Sequence, residues 1–314
     1  MRDPIRLILW TLAGLIAAMT ALAFADRLDL GGRPGWVFDL LSHWPRHLAL
    51  AGIIISALAF WRRIRGAGVT ALAAGAINLA LLIGVAGHAI PQPAPPDARL
   101  IRIVTANVHR SLPALEKLAA LARDYNADII AAYEVPDELK PEDMAGLFPD
   151  LPIHILPSER ANGWPLIRRS MLAARDMRVG PTQMFYGSHG VIITGDLSGV
   201  QIVTTHPPSP GHPGLMHDRD QQLAAAGASI DAARPFVIAG DFNSTPWGRA
   251  YASVPGTRAG DPRFEGTFPA MLGPLALPID HIKFGGLTLT DYRTGPDIGS
   301  DHLPLFATFA LPEN

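Results

Sequence analysis

The chain has 314 residues, 48% of them hydrophobic, and a mean hydropathy of +0.20, which is too apolar for an ordinary soluble enzyme, so part of it belongs in lipid. A formal net charge of −2 supplies no global positive field for a long nucleic acid. The absence of cysteine excludes thiol catalysis, disulfide staples and thiolate zinc sites.

The apolar residues concentrate at the front. Residues 7–25 (LILWTLAGLIAAMTALAFA) carry no charge, and neither do residues 67–90; each is long enough to cross a hydrocarbon core of roughly 30 Å as a helix. Between them, residues 48–61 (LALAGIIISALAFW) are short for a span. Arg46 and Arg62 can snorkel from their ends and Trp61 suits an interface, so a third span is expected. A cleaved signal peptide is the competing reading of the first segment, given the basic start MRDPIR and the small-residue site at Ala23 and Ala25.

Arg62, Arg63 and Arg65 crowd the loop between the second and third apolar segments, and Arg2 and Arg6 precede the first, so these ends read as cytoplasmic. Three crossings, or two after cleavage, then put the rest of the chain outside. The expected organisation is a multi-pass anchor over residues 1–90 in the cytoplasmic membrane, a proline-rich linker over 91–99 (PQPAPPDAR) and an extracytoplasmic domain over 100–314.

Beyond the linker, LIRIVTANV reads as a buried strand, LPALEKLAALARDYN as an amphipathic helix and ADIIAAYEV as a second strand, a pattern of α/β layering. Further strands are expected at HGVIITGDL, VQIVTTH, PFVIAGDF, PIDHIKF and LPLFATF. Several of these strands carry a chemically capable residue at an end. Asn107, Glu134, His206, Asp241 with Asn243, Asp280 with His281, and Asp301 with His302 follow one another in chain order, and strand ends of a layered fold converge on one crevice. Taken singly, each is explained as a turn former or a solvated strand end.

TANV, YEV, TTHPPSP, AGDFNSTPWG, TFPA, PIDHIKF and GSDHLPLFATF, in this order across residues 100–311, resemble the successive motifs of the endonuclease/exonuclease/phosphatase family, which shares the fold of pancreatic deoxyribonuclease. The resemblance implies a four-layer α/β sandwich of two packed mixed β-sheets flanked by helices, here preceded by N-terminal transmembrane helices. It implies a metal-dependent phosphoric ester hydrolase acting on a phosphodiester of nucleic acid or of a lipid headgroup, with the bilayer as the other partner and no protein partner indicated. Mg²⁺ is the expected cofactor, with Mn²⁺ as the alternative, held by Glu134, Asn107 and Asp301. His206, Asp241, Asn243, Asp280 and His302 carry the catalytic roles. Asp241 accepts a proton from the attacking water or pins it, and Asn243 donates to the phosphoryl oxygen. Asp280 orients His302, and the base is either Asp241 or His302. One departure stands out: Tyr133 occupies the position before the metal glutamate where the family commonly has glutamine. The reading from another class is a non-catalytic extracytoplasmic binding module that kept the fold.

Other residues are expected to be bland. His88 in the third apolar segment reads as a neutral imidazole near the membrane surface, and His212 and His217 as surface residues. Arg160, Arg168, Arg169, Arg175 and Arg178 read as a solvated basic face, with phosphate contact as the alternative.

Overall fold

The computed structural model describes residues 3–85, 87–156, 159–161, 164–167, 169–185 and 190–312. The chain divides into two compact units, one formed mainly by residues 1–86 and the other by most of the chain from Gly87 onward.

The first unit is helical: α1 (Pro4–Ala25), α2 (Gly32–Ser42), α3 (Pro45–Trp61) and α4 (Arg65–Ile83). Asp3 caps α1 by accepting from the Ile5 amide at 3.1 Å, and Pro4 presets its first turn. Among the described residues, two segments are long and apolar enough to cross a membrane, Pro4–Leu28 and Arg65–Ile83; α2 and α3 form a pair bent by 69° that qualifies only if counted as one broken span. Arg63, at φ 58°, turns the chain from α3 into α4. These two helices meet through small residues, since a Cβ on Gly52 would lie 2.6 Å from the Gly75 Cα. A buried polar contact joins α1 to α4, with Asn78 Nδ2 donating to Thr20 Oγ1 at 2.8 Å. The uncharged run over residues 67–90 is helical only in its first part. α4 stops at Ile83, Gly84 caps it, and His88 belongs to a strand of the second unit.

The second unit holds β1 (His88–Ala89), β2 (Leu100–Asn107), α5 (Leu112–Asp124), β3 (Ile129–Tyr133), α6 (Pro141–Leu147), β4 (Ile153–Leu156), β5 (Glu159–Ala161), β6 (Trp164–Ile167), β7 (Ser170–Ala174), β8 (Arg178–Phe185), β9 (Gly190–Leu197), β10 (Val200–His206), α7 (Pro213–Ala228), β11 (Phe236–Asp241), β12 (Thr257–Ala259), β13 (Asp280–Gly285), β14 (Thr288–Thr294) and β15 (Leu305–Ala310). Two mixed sheets form, in the orders β1-β12-β13-β11-β10-β9-β8 and β14-β15-β2-β3-β7-β4. Parallel pairs at β2/β3 and β10/β11 lie among antiparallel neighbours. Residues 91–99 run along this unit, with the Gln92 amide donating to the Leu289 carbonyl and Leu311 to that of Arg99.

Strand periodicity builds the layers. Ile101, Ile103, Ile129 and Ala131 point between the sheets, where they meet Ile202, Val237, Ala239 and Ile282 from the other sheet. Alternate residues face out: Val104, Ala106 and Ile130 pack on Leu115 and Leu118 of α5, and Val203 and Ile238 pack on Leu223 and Ala226 of α7. The result is helix, sheet, sheet, helix, as the resemblance implied. Ser111 starts α5 by accepting from the Ala114 amide, and its apolar residues at Ala114, Leu115, Leu118, Ala119 and Ala122 make the buried stripe.

Candidate active site

The parity that fills the core also delivers the site. Asn107 continues the inward series 101, 103, 105 of β2, His206 that of 200, 202, 204 on β10, and Asp241 that of 237, 239 on β11. Asp280 starts the inward series of β13 and pairs directly with Asp241 in the antiparallel register. Inward-facing residues at one end of the sandwich run out of apolar partners and become polar together. Glu134 breaks the alternation at φ 51°, a left-handed conformation that redirects its side chain just past β3. Asn243 has φ 47° and turns the loop after β11.

Asn107, Glu134, His206, Asp241, Asn243, Asp301 and His302 line one cavity of about 330 Å³. Asn107 Nδ2 donates to Asp241 Oδ2 at 3.2 Å and to Glu134 Oε1 at 3.4 Å. Asp241 Oδ1 accepts from the Asn243 amide at 2.9 Å. His206 Nε2 lies 3.6 Å from Asp241 Oδ2 and 3.9 Å from Glu134 Oε1. His302 Nδ1 is 2.8 Å from Asp280 Oδ2, and its Nε2 is 3.7 Å from Asp241 Oδ2. Asp280 thus stands behind His302. One hydrogen of the Asn243 amide group goes to the Pro207 carbonyl at 3.0 Å, leaving the second for a ligand.

Burial and charge oppose each other here. Desolvation alone would lower the His302 pKa, but the carboxylates of Asp280 and Asp241 outweigh it and push the imidazole up to about 10. The Asp241 carboxyl, fully buried, is raised from its ordinary value mainly by desolvation, against the neighbouring His302. Asp241, Asp280 and His302 are the group among the described residues whose ligand atoms all fall within 4.8 Å of one another.

Further residues complete the site, and of these the sequence had singled out only His281 and Tyr133. His109 Nδ1 sits 3.2 Å from Asp301 Oδ1 at the cavity rim, beside Arg110, and both have left-handed backbones. Phe268 packs its ring 4.7 Å from that of His302. Ser300 ties the SDH turn to β2 by donating to the Asn107 carbonyl at 2.8 Å. Two fully buried side chains hold the loop after Asp241: Arg219 donates to the Asn243 carbonyl, and His281 Nε2 lies 2.8 Å from that of Ser244. His281 is held neutral by burial and by Arg258, whose Nε donates to its Nδ1. Tyr133, the departure noted in the sequence, donates from its hydroxyl to the Ala239 carbonyl at 3.0 Å and so fastens one sheet to the other.

The model of the Endonuclease/Exonuclease/phosphatase family matches residues 104–302. The chain belongs to this family. None of the curated proteins matches it. Among solved structures it is similar to the family protein from Bacteroides thetaiotaomicron, at 14% identity and a TM-score of 0.53, over 69% of this chain and 100% of that one. It is likewise similar to that from Bacteroides vulgatus (17%, TM-score 0.52, 68% and 100%) and that from Beutenbergia cavernae DSM 12333 (20%, TM-score 0.51, 68% and 72%). Identities this low speak to the fold. Membership supports a hydrolase of the phosphoesterase type, in a family that generally uses divalent metals.

Away from the site, several expectations change. His88 lies in β1, paired with Arg258, and not in an apolar helix; its Nε2 is 3.8 Å from Asp261. Arg169 is not part of a solvated basic face: it is buried and donates to the carbonyls of Pro136, Asp137 and Leu139 at 2.6–3.0 Å. Arg175 is exposed, whereas the Arg160 side chain and Arg168 lie outside the described residues. His212 and His217 are exposed, as expected, with His217 bonded to Gln221.

Proposed function

We propose that this family member is a membrane-tethered, divalent-metal-dependent phosphodiester hydrolase. The observation that carries the reading is the Asp280–His302–Asp241 array at the end of a cavity that Glu134 also lines. The residues fit a hard cation: Glu134, Asp301 and Asn107 offer oxygen donors on the cavity wall, which is the chemistry Mg²⁺ or Mn²⁺ prefers. An ion held by these residues would polarise the phosphoryl oxygens and offset charge on the leaving oxygen.

The protein's own groups do the rest. Asp280 fixes the His302 ring so that Nε2 faces the cavity and Asp241. Asp241 holds the attacking water and takes its proton, while the His302 ring, kept protonated by the Asp280 and Asp241 carboxylates, donates from Nε2 and offsets the negative charge that develops beside it. Asn243 and His206 donate to the phosphoryl oxygens, as uncharged or cationic donors must when the substrate is an anion. The distribution of Arg62, Arg63 and Arg65 supports a cytoplasmic α3–α4 turn and an extracytoplasmic catalytic unit, with α2 and α3 acting as one broken span.

The test is hydrolysis of bis(4-nitrophenyl) phosphate by the full chain in lipid nanodiscs. Turnover should require Mg²⁺ or Mn²⁺ and vanish on chelation. A folded protein inert with both metals would sink the reading.

A further inference from the structure

We propose that residues 264–275 form a lipid-docking element that seats the catalytic unit on the bilayer surface. In that unit, among the described residues, the large apolar side chains exposed to solvent are Ile90, Leu112 and a group within this one segment: Phe264 at 76%, Met271 at 90%, and Leu272 and Leu275 at 41% each. Such a concentration marks an interaction surface, whereas scattered single residues do not.

The backbone beneath these side chains is ordered. Thr267 and Phe268 both bond through their amides to the Leu277 carbonyl, and the Ala270 amide donates to that of Asp301 at 2.7 Å. The apolar tips are therefore held out in water by a fixed turn and do not fold back onto the core.

The chain's own connectivity selects lipid as the occupant. α4 ends at Ile83 and β1 begins at His88, so the intervening residues reach at most about 18 Å. β1 does not lead away from the segment. His88 pairs with Arg258 and Ala89 with Ala259, and the Gly260 amide donates to the Ala89 carbonyl at 2.9 Å, just before the chain enters the segment. The covalent tether and the root of the apolar turn thus share one sheet edge, and exposed Ile90 follows directly on that edge. Anchoring by α4 keeps this edge within reach of headgroups. Phe268, in the same segment, packs against the His302 ring, so docking presents the cavity wall at the level of lipid phosphates and favours a lipid phosphoester over a polymer in solution.

The inference rests on α4 spanning the bilayer, and one experiment separates the two. The chain lacks cysteine, so single cysteines can carry a nitroxide label in full-length protein in nanodiscs of phosphatidylcholine and phosphatidylglycerol. Met271→Cys and Leu272→Cys probe the turn, Ile77→Cys probes α4, and Glu116→Cys on α5 is the aqueous reference. The expected result is oxygen accessibility well above nickel-chelate accessibility at 271 and 272, at a depth of about 5–10 Å below the headgroups. Labels at 271 and 272 as chelate-accessible as the one at 116, while 77 reads as hydrocarbon, would overturn docking alone. A water-exposed label at 77 would overturn the span reading itself. Labels at 271 and 272 shielded from both reagents would assign the turn to a second copy of the chain, and would also overturn the proposal.

Discussion

His302 Nδ1 and Asp280 Oδ2 lie 2.8 Å apart although they are carried by different sheets: Asp280 opens β13 of one, whereas His302 sits in the turn that leads into β15 of the other. The dyad therefore bridges the sandwich, and its geometry is set by how the sheets pack. Tyr133, bonded across to Ala239, fixes that packing one layer below.

If Asp241 and the Asp280–His302 pair act on one water, they form a single unit, and removing either should cost nearly as much as removing both. Asp241→Asn and His302→Ala should each lower kcat by about a hundredfold or more, the range for positioned acid and base groups. The double variant should fall far short of the product of the two losses. Steady-state kinetics of the three variants decide it, and fully multiplicative losses would assign the groups to separate steps.

Metal binding has a readout that needs no turnover. Glu134→Gln keeps the side chain's shape but removes a charged oxygen donor. Saturating Mg²⁺, at about 100 times Kd, should stabilise the wild-type protein by about 2.7 kcal/mol, seen as a raised Tm. Glu134→Gln should show little of this shift. An equal shift in both proteins would remove Glu134 from the metal site.

How much of this was legible in the sequence follows from which residues obey a period. Asn107, His206, Asp241 and Asp280 continue the inward alternation of apolar strands, so their convergence at one sandwich end could be read from spacing. Glu134 and Asn243 were marked by their place at strand ends, but their aim depends on left-handed turns that spacing does not reveal. His109 and Phe268 reach the site through loop conformation; no local signal marked His109, and Phe268 lay in the quoted TFPA motif without an assigned role. Arg169 looked like a surface cation because composition cannot show that three carbonyls await it. The early stop of α4 had a signal, in Gly84 and Gly87, but the uncharged run to Ile90 concealed it.

Lys283 offers a pH test away from the metal. Burial pushes its pKa down to about 8, although its ammonium bonds the Val254 carbonyl and lies 4.1 Å from the centre of the Tyr251 ring. Between pH 8 and its unfolded value of 10.5, the unfolded chain binds the proton that the folded one has released, so stability rises with pH there. Above about pH 10 the buried tyrosines act in the opposite sense, Tyr251 being raised to about 12 by desolvation. From pH 8 to 10, wild type should gain about 2 kcal/mol relative to Lys283→Met in chemical denaturation. Parallel stability curves for the two proteins would exclude the buried ammonium as the cause.

The helical unit makes a prediction that is purely steric. α3 and α4 approach so closely at Gly52 that a Cβ there would sit 2.6 Å from the Gly75 Cα and 2.8 Å from the Ala71 carbonyl oxygen. Those neighbours are backbone, which cannot rotate aside as a side chain can, so the helices must separate. Separation is costly in lipid, where helix association depends on van der Waals contact and not on expelling water. Gly52→Val should therefore weaken the α3–α4 hairpin by about 1–3 kcal/mol, the usual cost of overpacking. Gly14 in α1 is the control, because nothing lies within 4 Å of a Cβ built there. Gly14→Val makes the same chemical change in a helix, so intrinsic propensity cancels between the two variants. In a titration of the full chain from mild detergent into dodecyl sulfate, followed by circular dichroism, Gly52→Val should unfold its helices at a lower detergent fraction than wild type, with Gly14→Val close to wild type. Equal midpoints for Gly52→Val and Gly14→Val would mean that α3 and α4 do not pack through this glycine contact in the membrane.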